Sequence, residues 1–184
     1  MWLLRGVGDA GSIDRVVLVA LKHERELLVF VERDGTVQHV TTFPILAASG
    51  TAGPKLREGD RQVPEGFYGI SFLNPNSRFH LSLRVDYPNR EDIDAATADG
   101  RDTGTLGGDI MIHGGANSIG CVAIGDEPIE DIFWLVATVG IDRTRVVIAA
   151  GSEPGDHLRP DAPAWLRDRS LRIESELRRL KVGV

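Results

Sequence analysis

Ile112-His113-Gly114-Gly115-Ala116-Asn117-Ser118-Ile119-Gly120-Cys121-Val122-Ala123-Ile124-Gly125-Asp126 is the stretch on which the reading of this chain turns. An apolar strand, Asp109-Ile110-Met111-Ile112-His113, ends in a histidine, and the only cysteine follows eight residues later. The five residues after His113 are small or turn-prone, so the chain can fold back and bring both side chains to one sheet edge. A Cys–His pair needs that proximity. Imidazole takes the thiol proton, the thiolate attacks an acyl carbon, and the imidazolium returns the proton to the leaving amine. Gly120 lets a substrate approach the backbone, and amides near Cys121 can point at a developing oxyanion. Spacing alone leaves a second reading equally open: a small buried cysteine beside a hydrogen-bonded strand-end histidine.

Working outward, Glu127 to Val139 carries Ile129, Ile132, Phe133, Val136 and Val139 at helical spacing, with Asp126 as N-cap and Pro128 in the first turn. Thr144 to Ala150 reads as a strand. Ala162 to Lys181 reads as a terminal helix with Leu166, Ile173, Leu177 and Leu180 on one stripe, its arginines forming a solvated face. On the other side, Phe79, Leu81, Leu83 and Val85 alternate with Arg78, His80, Ser82 and Arg84, a strand with a core face and a polar face. Phe67 to Leu73 is a further strand. The chain opens as a meander over Ile13 to Leu21, Glu26 to Glu32 and Thr36 to Phe43, with Arg33-Asp34-Gly35 as turn chemistry. Ala47 to Gly66 reads as a long surface loop, and the polar Pro88 to Gly108 as a flap over whatever His113 faces. The pattern predicts one mainly β (α+β) domain over residues 1–184, with a helix after the cysteine and another at the C-terminal end.

Composition excludes several functions. A chain of 184 residues buries about two-thirds of its unfolded surface, so disorder is not the main state. A formal net charge of −6 argues against binding that rests on phosphate neutralisation. No apolar run reaches the ~18 to 20 residues of a membrane span, and Met1-Trp2-Leu3-Leu4-Arg5 is too short for the apolar region of a secretory signal. One cysteine cannot form an internal disulfide. The five histidines show no H-E-x-x-H or paired Cys/His spacing, and the acidic residues between Pro88 and Gly108 do not match a Ca²⁺ loop. Neither a metal nor another cofactor is expected.

His113-Gly114, then Ser118-Ile119-Gly120-Cys121 and an acidic helix start, resembles the active-site signature of the L,D-transpeptidase catalytic-domain (YkuD) family: a His-Gly, a variable loop, then Ser/Thr-His-Gly-Cys. Gly53-Pro54-Lys55, Glu58-Gly59-Asp60 and Pro64-Glu65-Gly66-Phe67-Tyr68 resemble the family's Thr-Pro-x-Gly segment, with Val63 where Thr is usual. Asn74-Pro75-Asn76-Ser77-Arg78-Phe79-His80-Leu81-Ser82-Leu83 fits the same branch, and the blocks run in order over about residues 45 to 140. Ile119 replaces the usual second His, and the His113–Cys121 loop is short. Both features are similar to the branch that includes periplasmic enzymes acting on murein and murein-linked lipoprotein.

The resemblance implies an L,D-transpeptidase-like β-sandwich in which Cys121 attacks the bond after the L-centre of diaminopimelate in a peptidoglycan stem peptide, forming a thioester. An amine acceptor then gives a cross-link, and water gives hydrolysis. It implies His113 as base, the Gly114 carbonyl as its orienting group, and the Gly120 and Cys121 amides as oxyanion hole. Ser118, Arg78, His80 and Ser82 are the candidate substrate contacts. Two other readings stand beside it: a hydrolase of the same fold, an L,D-carboxypeptidase or an amidase releasing D-Ala or a murein-linked protein, and a non-catalytic wall-binding module. Expected partners are stem peptides and a murein-attached lipoprotein, with no nucleic acid and no metal, acting as a monomer. The expected location is the periplasm or cell envelope after signal removal, or else the cytoplasm in muropeptide recycling.

Overall fold

The computed structural model describes residues 2–183; Met1 and Val184, the two ends of the expected domain, lie outside the described residues. Alternating β-branched and aliphatic residues build its centre. In β1 (Arg15–Leu21), Val16, Leu18 and Ala20 enter one apolar layer while Val17, Val19 and Leu21 enter another, so this strand is covered on both faces. It pairs antiparallel with β2 (Glu26–Arg33), which continues into β3 (Thr36–Pro44), giving the expected meander. The remaining strands are β4 (Ala47–Ala48), β5 (Gly66–Ser77), β6 (His80–Val85), β7 (Met111–His113), β8 (Val122–Ala123) and β9 (Thr144–Ala149).

Among the described residues these nine strands run in the order β3-β2-β1-β9-β5-β6-β7-β8-β4. The 12-residue β5 joins two halves, pairing with β9 through Gly66–Gly69 and with β6 from Ile70 onward. The larger core draws Leu18 and Val146 from one half and Leu83, Ile112 and Val122 from the other, with Ile129, Ile132 and Val136 of helix α3 (Asp126–Val139). Helix α4 (Ala164–Arg179) covers the opposite face of β1, β2 and β9 through Ile173 and Leu177. The helix after Cys121 and the C-terminal helix thus form as the sequence predicts. The short helices α1 (Trp2–Gly6) and α2 (Arg90–Ala98) were not foreseen.

Helix α2 sits inside the stretch expected to be a flap. It escaped notice because it has almost no apolar periodicity; a capping box starts it instead. The Asn89 side chain accepts from the Glu91 and Asp92 amides, and Asp92 accepts from the Asn89 amide at 3.1 Å. Asp92 is also buried, and the Arg169 guanidinium meets its Oδ1 at 3.0 Å while Tyr68 donates its hydroxyl to the same oxygen at 3.2 Å. Arg169 belongs to the arginine run expected to be solvated. Burial pushes the Asp92 carboxyl above its ordinary value, even with Arg169 beside it.

The 47–66 segment also differs from a plain surface loop. Buried Lys22 of the β1–β2 region holds it from beneath, donating to the Gly53 carbonyl at 2.9 Å, the Val63 carbonyl at 3.0 Å and Glu65 at 2.9 Å. Lys55 closes the loop on itself through Asp60 at 2.7 Å and the Arg57 carbonyl at 2.8 Å. Two buried cations therefore satisfy backbone carbonyls that composition alone had assigned to water.

Removing one partner of a buried ion pair leaves the other uncompensated, so Asp92→Ala is expected to lower unfolding free energy by about 3–5 kcal/mol. Breaking the exposed Arg90–Asp94 pair of the same helix is expected to change it by no more than about 0.5 kcal/mol. Urea titrations of the two variants check both.

Candidate active site

The parallel β7–β8 pairing builds the site. Ile112 is registered with Val122, and His113 with Ala123, so the two core-facing residues stack and His113 looks to the other side. Cys121 immediately precedes β8. Alternation puts it on the His113 face, one step before the Val122 register position. On the far side of β7, antiparallel β6 registers Ser82 with His113 and Arg84 with Met111.

His113 is only 2% exposed, and its Nδ1 lies 2.6 Å from the Gly114 carbonyl oxygen. A carbonyl can only accept, so Nδ1 carries the proton and Nε2 holds the lone pair. Among the described residues, Nε2 takes no hydrogen bond. The Phe79 ring lies against the imidazole with centroids 4.5 Å apart at 31°. Burial pushes the His113 pKa below the ordinary imidazole value, with the Gly114 bond opposing it weakly. The resting ring is neutral.

Gly114 is glycine for a steric reason. A Cβ there would lie 2.5 Å from the Phe79 carbonyl oxygen and 2.6 Å from Asp126 Oδ1. The Asp126 carboxylate does not cap helix α3 as the sequence suggested: Gly125, at φ +89°, is the N-cap position, and Asp126 accepts from the Gly115 amide at 2.7 Å. The acidic helix start thus braces the turn that follows the histidine.

The Cys121 thiol is half-buried and donates to the Asp109 carbonyl at 3.6 Å; among the described residues no hydrogen bond joins it to His113. Burial raises its pKa above the ordinary thiol value. The Met111 amide and Lys55 favour the thiolate, while the Asp109 charge opposes it. The resting pair is therefore thiol and imidazole rather than thiolate and imidazolium.

Both amides expected to face an oxyanion already have partners. Gly120 donates to Ser49 Oγ at 2.6 Å, and Cys121 donates to Ser118 Oγ at 2.9 Å. Ser118 in turn donates to the Cys121 carbonyl at 2.6 Å, which closes the turn before the cysteine and directs this hydroxyl at the backbone. Ser49, itself bonded to the Arg61 carbonyl at 2.8 Å, was not foreseen, because only the folded 47–66 segment brings it there.

The other expected substrate contacts separate. Arg78 lies in the β5–β6 turn, where strand alternation no longer holds. Phe79 shares that turn, which is why it is 43% exposed and stacked on His113 instead of entering the core. His80, at φ +72°, is re-aimed to Glu130 of α3 at 2.6 Å. Ser82 stays on the predicted face but is buried beside His113 rather than solvated. Flanking the site, Pro54, Leu56, Asp60, Gln62, Arg101 and Thr105 line a groove of about 570 Å³. Of these residues, Gln62 is the one near the cysteine turn: its carbonyl lies 3.5 Å from where a Gly120 Cβ would stand.

A sheet-dominated domain with a single cysteine and a neutral histidine on one strand pair defines a class. The family model described as the L,D-transpeptidase catalytic domain, YkuD, matches residues 14–148, and the chain belongs to that family. Among curated proteins it is 36% identical, over 123 residues, to "Putative L,D-transpeptidase YafK" of Escherichia coli K12, covering 66% of this chain and 47% of that protein. The chain thus spans about half the length of the curated relatives it matches. Its fold is similar to the helical cell shape determining protein Pgp2 of Campylobacter jejuni, with a TM-score of 0.59 at 18% identity over 97% of this chain and 76% of that one. Bdellovibrio bacteriovorus Bd1075 gives a TM-score of 0.54 at 20% identity over 91% and 57%.

Two outcomes follow from the geometry. Gly114→Ala forces its methyl against backbone and is expected to destabilise the protein by about 1–3 kcal/mol, read in a denaturant titration. Alkylation of Cys121 by iodoacetamide is expected to show a pH midpoint above the ordinary thiol value of about 8.5; a midpoint below neutrality would mean a resting thiolate.

Proposed function

We propose that the protein is a cysteine-dependent L,D-transpeptidase that forms a thioester on the diaminopimelate of a peptidoglycan stem peptide and passes the acyl group to an amine. The observation that carries the proposal is the placement of His113 and Cys121 on one face of adjacent strands, with the imidazole tautomer set by the Gly114 carbonyl. Family membership supplies the reaction class. The name of the Escherichia coli relative points the same way.

In this reading the proton moves only when substrate arrives. His113 Nε2 takes the Cys121 thiol proton as sulfur adds to the acyl carbon; collapse breaks the C–N bond, and the imidazolium returns that proton to the departing amine. The thioester is then opened by an acceptor amine. The Gly120 amide reaches the oxyanion by exchanging the Ser49 hydroxyl for a charged acceptor, which binds an N–H more strongly than a neutral oxygen does. Met111 N–H and Lys55 stabilise the transient thiolate. Such a substrate is met in the cell envelope or, as recycled muropeptides, in the cytoplasm; the envelope is the location proposed, and fractionation of the native host tests it.

The chemistry is tested by incubating disaccharide tetrapeptide with the protein, with and without an amine acceptor, and weighing the products. A heavier cross-linked product supports transpeptidation, loss of D-Ala alone supports the hydrolase reading, and no mass change refutes both. Cys121→Ala is expected to abolish turnover with the fold intact, and His113→Ala to do nearly the same. Because His113 is held neutral to lower pH than a free imidazole, the acid limb of kcat/KM is expected below about pH 6.5.

A further inference from the structure

The sheet face that carries Cys121 also holds a cation that the mechanism above leaves unused. Register sets Phe72, Arg84 and Met111 side by side across β5, β6 and β7. Carrying the β7–β8 pairing one step back from Ile112–Val122 brings Cys121 next to Met111. This row is open: Phe72 is 54% exposed and the Arg84 side chain 46%. The neighbouring row through Ser82 and His113 is buried.

Arg84 Nη2 lies 3.0 Å from Asp109 Oδ1, and the Asp109 side chain is 82% exposed. The main-chain carbonyl of the same Asp109 receives the Cys121 thiol. Guanidinium, carboxylate and sulfur therefore form one local unit. An ion pair so open to water is held weakly, and a guanidinium offers paired donors to any carboxylate that reaches it.

We propose that Arg84 binds a carboxylate of the peptide that acylates Cys121, and that Asp109 is the resident carboxylate which the substrate replaces. The inference rests on the acyl-transfer reading and names the substrate feature: a free carboxylate within an arginine side chain's reach of the attacked carbonyl. Phe72 and Met111 supply the apolar ground on either side of it. No covalent bond changes in the exchange. One ion pair opens, another closes, and the Asp109 carboxylate turns to water while its backbone stays with the thiol.

The test uses Cys121→Ala protein, which cannot turn over, titrated calorimetrically with purified stem tetrapeptide and with the same peptide amidated at each carboxylate in turn. Adding Arg84→Gln is expected to weaken binding of the free acid about 10- to 100-fold and to leave one amidated form unaffected. Arg84→Lys should recover part of the loss, and Asp109→Asn should tighten binding. In protein retaining Cys121, Arg84→Gln should raise KM with kcat nearly kept. Equal affinity of the Arg84→Gln and parent proteins for the free acid, or equal weakening for every amidated form, overturns the assignment. If that happens while Cys121-containing protein still turns over tetrapeptide, only this inference falls. If the Cys121→Ala protein does not bind the peptide and the Cys121-containing protein does not convert it, the acyl-transfer reading falls with it.

Discussion

The parallel contact between β7 and β8 is three residues against two, yet the position of every reactive group follows from it. Two core residues, Ile112 and Val122, are almost fully buried at this contact and lock its register. A slip of one residue would turn His113 into the core and an aliphatic side chain out. Parallel neighbours need a crossover, and here the crossover is the short His113–Cys121 loop, tighter than a helical connection allows. Three glycines and Ser118 make that possible, with Asp126 of α3 and Ser49 of the 47–66 segment holding the loop from opposite ends.

The same constraint explains the electrostatics. A histidine pressed between a buried strand and the Phe79 ring loses water, and its one hydrogen bond goes to a carbonyl rather than to a carboxylate. Burial disfavours the imidazolium more than the bond to the Gly114 carbonyl favours it, so the pKa of the ring lies below the ordinary imidazole value. Cys121 is likewise desolvated. In the proposed mechanism a neutral pair of this kind keeps the sulfur unreactive until a substrate is in place, and His113 would then be ready to take the proton.

Buried charge elsewhere serves the site at a distance. Lys22 ties the 47–66 segment to the first strand, which sets Ser49 against Gly120 and Gln62 beside the groove. Arg169 joins α4 to α2 through Asp92 and to the start of β5 through the Glu65 carbonyl. Ion pairs of this sort add little net stability over apolar packing. What they do here is specify which loops lie against the sheet.

Much was legible in the chain itself. Period-two alternation and helical spacing gave the meander, β5, β6, β9, α3 and α4, since burial of apolar faces depends on local pattern. His113, Gly114 and Cys121 stood out because they sit in a signature that resembles that of the L,D-transpeptidase family; spacing alone left a purely structural reading equally open. What only the tertiary structure decided was where polar groups go. Asp126 serves the glycine turn instead of its helix, Phe79 covers the imidazole instead of the core, and Ser118 faces its own backbone. Arg169 enters the interior and Ser49 arrives from 71 residues away. Polar partners are chosen by proximity in space after the apolar faces have closed, and no sequence periodicity records that choice.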